Sequence, residues 1–212
     1  MDVKKIIQDQ GLSDFPVGIG GCRNSNSNFD SCGFDIVVFD GKSESDNIIK
    51  IENEFVTIHH ASFSETLSKK LIQYDNLQII QDESWELRMF LSKINQKLPS
   101  LFLDNAKNSL IESLFCCQKT KEAIQNSNVF APCWQKCASF HLADAISSLN
   151  NQRSSPSHML DLLRKLEKNS TNEHISIVTQ TVGIERATPV LLERILKSTI
   201  GFSDLIEKNN HS

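Results

Sequence analysis

The sequence predicts an α+β protein of 212 residues in two parts: a small mixed-sheet α/β domain over residues 1–98 and an antiparallel helical bundle over residues 99–212. Two observations point there. In the first hundred residues, short β-branched runs alternate with glycine and polar turns, the pattern of strands with at least one buried face. After Pro99, apolar residues recur at helical intervals, and every later segment reads as helix or loop.

Val3, Ile6 and Ile7 follow helical spacing, and Gly11 closes that short leading helix. Phe15 to Ile19 begins a first strand. Asp35 to Phe39 is a second, with Asp35, Val37 and Phe39 on one face and Ile36, Val38 and Asp40 on the other. Ile48–Ile51 and Phe55–His59 read as two further strands, and a β-meander is the simplest assembly of these runs. Ser64 is positioned to cap a helix carrying Leu67, Leu71 and Ile72, and Leu77–Ile80 reads as another short strand.

In the second part, Phe102, Ala106, Leu110, Leu114 and Ile124 mark one long helix. Pro132, suited to a first helical turn, opens another that runs to Leu149. A polar connector, residues 150–155, leads to a third helix capped near Ser157 and carrying Met159, Leu160, Leu163 and Leu166. A final helix is expected from Pro189 to Lys208.

A net charge of −4 argues against a surface built to coat nucleic acid or to bind anionic membranes. The N-terminal residues lack a signal-peptide core and no apolar run is long enough to span a bilayer, so the expectation is a soluble, cytoplasmic protein. In that compartment the six cysteines, at 22, 32, 116, 117, 133 and 137, are expected as thiols.

The segment richest in chemistry is Gly20-Gly21-Cys22-Arg23, followed by an Asn/Ser-rich loop and then Gly33-Phe34-Asp35 at the opening of the second strand. A tight glycine turn offers backbone N–H groups to a polyphosphate, and a neighbouring strand can present acids to Mg2+. Only one acid, Asp35, stands where two are wanted. The plain reading of the same residues is an ordinary β-turn with Asp35 at a strand end.

This segment resembles the nucleotidyltransferase superfamily, the fold of polymerase-beta-like and kanamycin-nucleotidyltransferase-like enzymes. Gly21-Cys22-Arg23 falls on the family's Gly-Ser turn, and Gly33-Phe34-Asp35 falls on its Asp-x-Asp pair with Gly33 in place of the first acid. The resemblance implies nucleotide binding at Gly20, Gly21, Cys22 and Arg23, and Asp35 as catalytic residue and Mg2+ ligand. The family's third acid lies on a later strand; Phe55–His60 has none, although Glu52 and Glu54 precede it. One carboxylate cannot fix two ions, so the resemblance implies a degenerate site that binds Mg2+ weakly if at all.

The helical half resembles the HEPN-like bundles that accompany such folds, through the long helix Trp134–Leu149 and the start Pro156-Ser157-His158-Met159-Leu160. Arg153 and His158 also satisfy the Arg-x4-His spacing of ribonuclease-type members, an alternative nuclease pair; the plain reading makes them a loop cation and a helix-start residue. Cys133, Cys137 and His141 share a helix face that Cys117 can approach, as a zinc site or simply as core. His59 and His60, adjacent on a strand, must point to opposite faces.

The leading expectation is a nucleotide-binding or regulatory protein with weak or no transfer activity. Whether it is an enzyme is left open. One alternative is an active Mg2+-dependent nucleotidyltransferase acting on a protein, RNA or small molecule, with Asp35 helped by Glu52, Glu54 or Asp30. The other is a toxin-antitoxin-like interaction module. Expected partners are a nucleoside triphosphate and a second copy or small protein, not a membrane.

Overall fold

The computed structural model describes residues 2–24, 29, 32–42, 46–51, 54–153, 155, 157–183 and 187–210. Its elements run α1 (Val3–Asp9), β1 (Val17–Gly20), a 3-10 turn (Cys22–Asn24), β2 (Phe34–Val38), β3 (Asn47–Ile51), β4 (Glu54–His60) and α2 (Ser68–Leu71). A second 3-10 turn (Ile72–Tyr74), β5 (Gln78–Gln81), α3 (Glu86–Gln125), α4 (Ala131–Leu149), α5 (Met159–Lys165), α6 (Ile175–Val182) and α7 (Pro189–Asn210) follow. The chain is α+β, as the sequence predicts.

The five strands form one mixed sheet in the order β3-β4-β2-β1-β5. β2 pairs antiparallel with β1 and parallel with β4, while β3 lies outside β4. This corrects the expected meander. Ile36 and Val38 are fully buried, which demands a central strand, whereas Asn47, Ile48 and Lys50 are exposed and suit an edge.

The alternation expected of β2 divides the domain into two cores. Ile36 and Val38 join Val17, Val56 and Ile58 beneath Ile6, Ile7 and Leu12 from α1 and the residues after it. Val37 and Phe39 join Leu77 and the α3 residues Leu87, Leu91 and Ile94 on the other face. Each fully buried aliphatic side chain is worth about 1.5–3 kcal/mol, so a one-residue slip of β2 would exchange the two cores and expose both.

α3 is longer than expected because it begins before Pro99. The Asp82 carboxylate accepts the backbone N–H groups of Leu87 at 3.2 Å and Arg88 at 2.9 Å, satisfying donors that a helix start leaves open. Leu87, Leu91 and Ile94 serve the sheet; beyond Pro99 the same rod turns Phe102, Ala106, Ser109, Ser113 and Cys116 inward. The boundary drawn at residue 98 thus lies inside this helix.

α4 packs antiparallel on α3. Small residues, Ala106, Ser109 and Ser113 on one side and Ala138 and Ala145 on the other, are buried. Asn105 Nδ2 donates to Ser148 Oγ at 2.8 Å and Ser113 Oγ donates to the Ala138 carbonyl at 2.8 Å, so the polar groups of this seam are paired. α4, α5 and α6 enclose a third cluster, with Ala143, Ile146, Met159, Leu163 and Val178. Ser64 caps no helix: α2 begins at Ser68, and the Glu65 carboxylate takes the N–H groups of Thr66 and Leu67.

Candidate functional site at the Gly21 turn

β1 ends at Gly20, and Gly21 turns the chain with φ +79°, a conformation that favours glycine. Antiparallel pairing sets Gly20 opposite Asp35. A side chain at Gly21 would fall on the Asp35 carboxylate, so the turn and the acid are packed directly together. Cys22 and Arg23 follow in the 3-10 turn.

Asp35 is flanked by an imidazole. Parallel pairing sets Asp35 beside Thr57 and Val37 beside His59, on the α3 side of the sheet. His59 Nε2 lies 3.4 Å from Asp35 Oδ1, and His59 Nδ1 lies 2.9 Å from Asp46 Oδ1. The hydrogen bond to Asp35 raises the His59 pKa most, burial opposes it, and Asp46 adds to the rise. Both ring nitrogens face carboxylates, an arrangement that favours the imidazolium. His60 points away, as strand alternation requires, and its Nδ1 meets the buried Asp40 Oδ2 at 2.8 Å.

Glu54 opens β4, but its Oε1 accepts from Arg23 Nη2 at 2.9 Å. Arg23 also lies over the Phe34 ring at 5.6 Å. The pair ties the turn to the start of β4. Glu52 and Asp30 lie outside the described residues.

Gly33 is explained by its neighbour. A Cβ there would sit 2.8 Å from the Phe55 carbonyl oxygen, closer than β2 and β4 permit at this register. An aspartate at this position would collide with backbone before its carboxylate reached any ion.

The six cysteines are thiols. Cys22, Cys32 and His158 converge: their Sγ, Sγ and Nε2 atoms all lie within 4.8 Å of one another. Burial, then a hydrogen bond with Cys32, push the Cys22 thiol up to about 11. His158 reaches this point from the start of α5 and stacks on Phe29, with ring centroids 4.1 Å apart. Sequence spacing could not have found this group, because Cys32 and His158 are 126 positions apart.

Arg153 turns elsewhere. Its Nη1 donates to the Gln73 carbonyl at 2.9 Å and its Nε lies 3.9 Å from Asp75 Oδ1. Arg153 and His158 therefore engage different partners. Among the described residues Cys117, Cys133, Cys137 and His141 form no metal-sized cluster, and Cys117, Cys133 and Cys137 face solvent. The buried cysteine of α3 is Cys116.

No protein-family model and no curated protein matches this chain. Among solved structures, it is similar to a nucleotidyltransferase-like protein from Exiguobacterium sibiricum 255-15. The match has 14% identity, covers 97% of this chain and 79% of the other, and has a TM-score of 0.44. Among the described residues no helix is long and apolar enough to cross a membrane.

Proposed function

We propose that this chain is a nucleotidyltransferase-fold protein whose polyphosphate-binding turn persists while its metal site has degenerated. It would bind a nucleoside triphosphate, in a regulatory role, with weak or no transfer chemistry. The observation that carries the reading is Asp35 packed against the Gly21 turn with His59, rather than a second carboxylate, on the adjoining parallel strand.

Mg2+ prefers several hard oxygen ligands in octahedral geometry, and a two-ion site needs bridging acids. The described groups do not fit that demand. Asp35 is paired with the His59 imidazole, Glu54 is neutralised by Arg23, and Gly33 contributes no oxygen donor from a side chain. A turn of backbone N–H groups beside an imidazole whose pKa is raised suits an anion better than a second cation.

Calorimetry of the four ribonucleoside triphosphates, with and without Mg2+, tests this on the wild type, Asp35→Ala and Gly21→Ala. Binding that survives without Mg2+ and is lost in Gly21→Ala supports the reading. No binding to any triphosphate sinks it. Mg2+-dependent pyrophosphate release that disappears in Asp35→Asn would instead establish the active transferase, with an acid such as Glu52 or Asp30 completing the site.

A second reading, an interaction module, draws on α7. Val190, Leu191, Leu192, Ile195, Leu196, Ile200, Phe202, Leu205 and Ile206 are all exposed along this helix. An apolar surface of that extent marks an association site. The long helix, polar connector and His158-led helix also suit a HEPN-like bundle, a class that pairs with copies or partners.

A further inference from the structure

We infer that Cys22, Cys32 and His158 form a zinc site that ties the start of α5 to the loop between β1 and β2. The site shares Cys22 with the turn assigned above to nucleotide binding, but the inference does not rest on that assignment.

Three soft or borderline donors converge from two distant parts of the chain. Cys22 follows the Gly21 turn, Cys32 is buried just before β2, and His158 comes from the helical half. Cys32 Sγ and His158 Nε2 are already 3.1 Å apart, and all three ligand atoms lie within 4.8 Å of one another. With Zn–S about 2.3 Å and Zn–N about 2.0–2.1 Å, tetrahedral ligands sit roughly 3.5–3.8 Å apart. The observed separations, 3.1 Å for one pair and no more than 4.8 Å for any, bracket that spacing.

The surroundings hold the donors in place as a metal site's outer contacts do. The Phe29 backbone N–H donates to Cys32 Sγ at 3.3 Å, a bond that stabilises a thiolate. The Phe29 ring stacks on the His158 imidazole with an interplanar angle of 19°, fixing the ring plane. One residue thus braces two of the three ligands.

The donor set selects the metal. Two thiolates and an imidazole suit Zn2+ and are poor ligands for Mg2+ or Ca2+. The two thiolate charges neutralise the ion. Three protein ligands leave a fourth tetrahedral position for water or an incoming anion, the arrangement found where zinc does more than brace a fold.

The 212-residue chain, purified in reductant and incubated with zinc alone, tests the proposal by metal analysis after gel filtration. Cobalt substitution adds a spectrum: thiolate-to-metal charge transfer and intense tetrahedral d–d bands. One zinc per chain is expected, lost in Cys22→Ser, Cys32→Ser and His158→Gln but kept in the double variant Cys133→Ser, Cys137→Ser. Far-UV circular dichroism checks that the variants remain folded, and the thiolate-to-cobalt charge-transfer band should be absent from the same three variants.

Three results would overturn the site. These are a wild type that retains no zinc, zinc that persists undiminished in the Cys22 and Cys32 variants, and quantitative formation of a Cys22–Cys32 disulfide that zinc does not prevent. None of them depends on whether a triphosphate binds.

Discussion

Asp35 Oδ1 and His59 Nε2 face each other at 3.4 Å across the parallel pair β2–β4, and Asp46 holds the other ring nitrogen at 2.9 Å. Asp35 has an imidazole for a neighbour, and its carboxylate helps to raise the pKa of that ring.

This pairing makes stability depend on pH in a definite direction. The folded-state pKa of His59 is raised, so its stabilising contribution is fully present below the unfolded value near about 6.5 and is lost as pH rises through the folded value. The side chains are 35% and 37% exposed, so solvent screening limits the effect to about 0.5 kcal/mol. Urea midpoints of wild type and His59→Gln should differ at about pH 6 and converge at about pH 9. A gap that stays constant across that range contradicts the pairing.

Gly33 is predicted to resist replacement by any residue with a side chain. Gly33→Asp and Gly33→Ala should both destabilise by about 1–3 kcal/mol, because the Cβ alone meets the Phe55 carbonyl. Denaturant unfolding measures both. A fully stable Gly33→Asp protein would mean that strand packing does not exclude the acid.

The α3–α4 seam should prove sensitive to polar mismatch. Ser148→Ala removes the acceptor of the buried Asn105 amide and should cost about 1–3 kcal/mol. Asn105→Leu with Ser148→Ala should cost less than the sum of the single changes, with a coupling of about 1 kcal/mol. Strict additivity in the double-mutant cycle would show that the two side chains do not interact.

α7 is expected to drive association. Ile195→Asp combined with Phe202→Asp should shift the protein toward a monomer in light scattering, with little change in the unfolding midpoint of the rest of the chain. A wild type that is monomeric at every concentration rules out self-association through this helix.

Much of the fold was legible. The alternation in Asp35–Phe39 specified two faces, and both carry cores. Pro132 and the spacing to Leu149 marked α4, whose bounds are Ala131–Leu149. The helical pattern was read only after Pro99, whereas α3 begins at Glu86 and contains it. Proline disfavours a helix interior by losing a donor and crowding the preceding turn, yet the packing of α3 on both the sheet and α4 carries the helix through it. The strand order was equally hidden, since alternation tells which residues are buried but not which strand lies beside which.

The candidate site divides the same way. Local sequence determined the Gly21 turn, the position of Asp35 at the mouth of β2 and the glycine at position 33, because these depend on backbone conformation and residue type within one short segment. Only the tertiary structure decided that His59 stands beside Asp35, that Arg23 takes Glu54, and that His158 joins Cys22 and Cys32. Those relationships depend on strand order and on packing between residues distant in the chain, and short-range patterns of hydrophobicity and spacing carry no record of which distant side chains will meet.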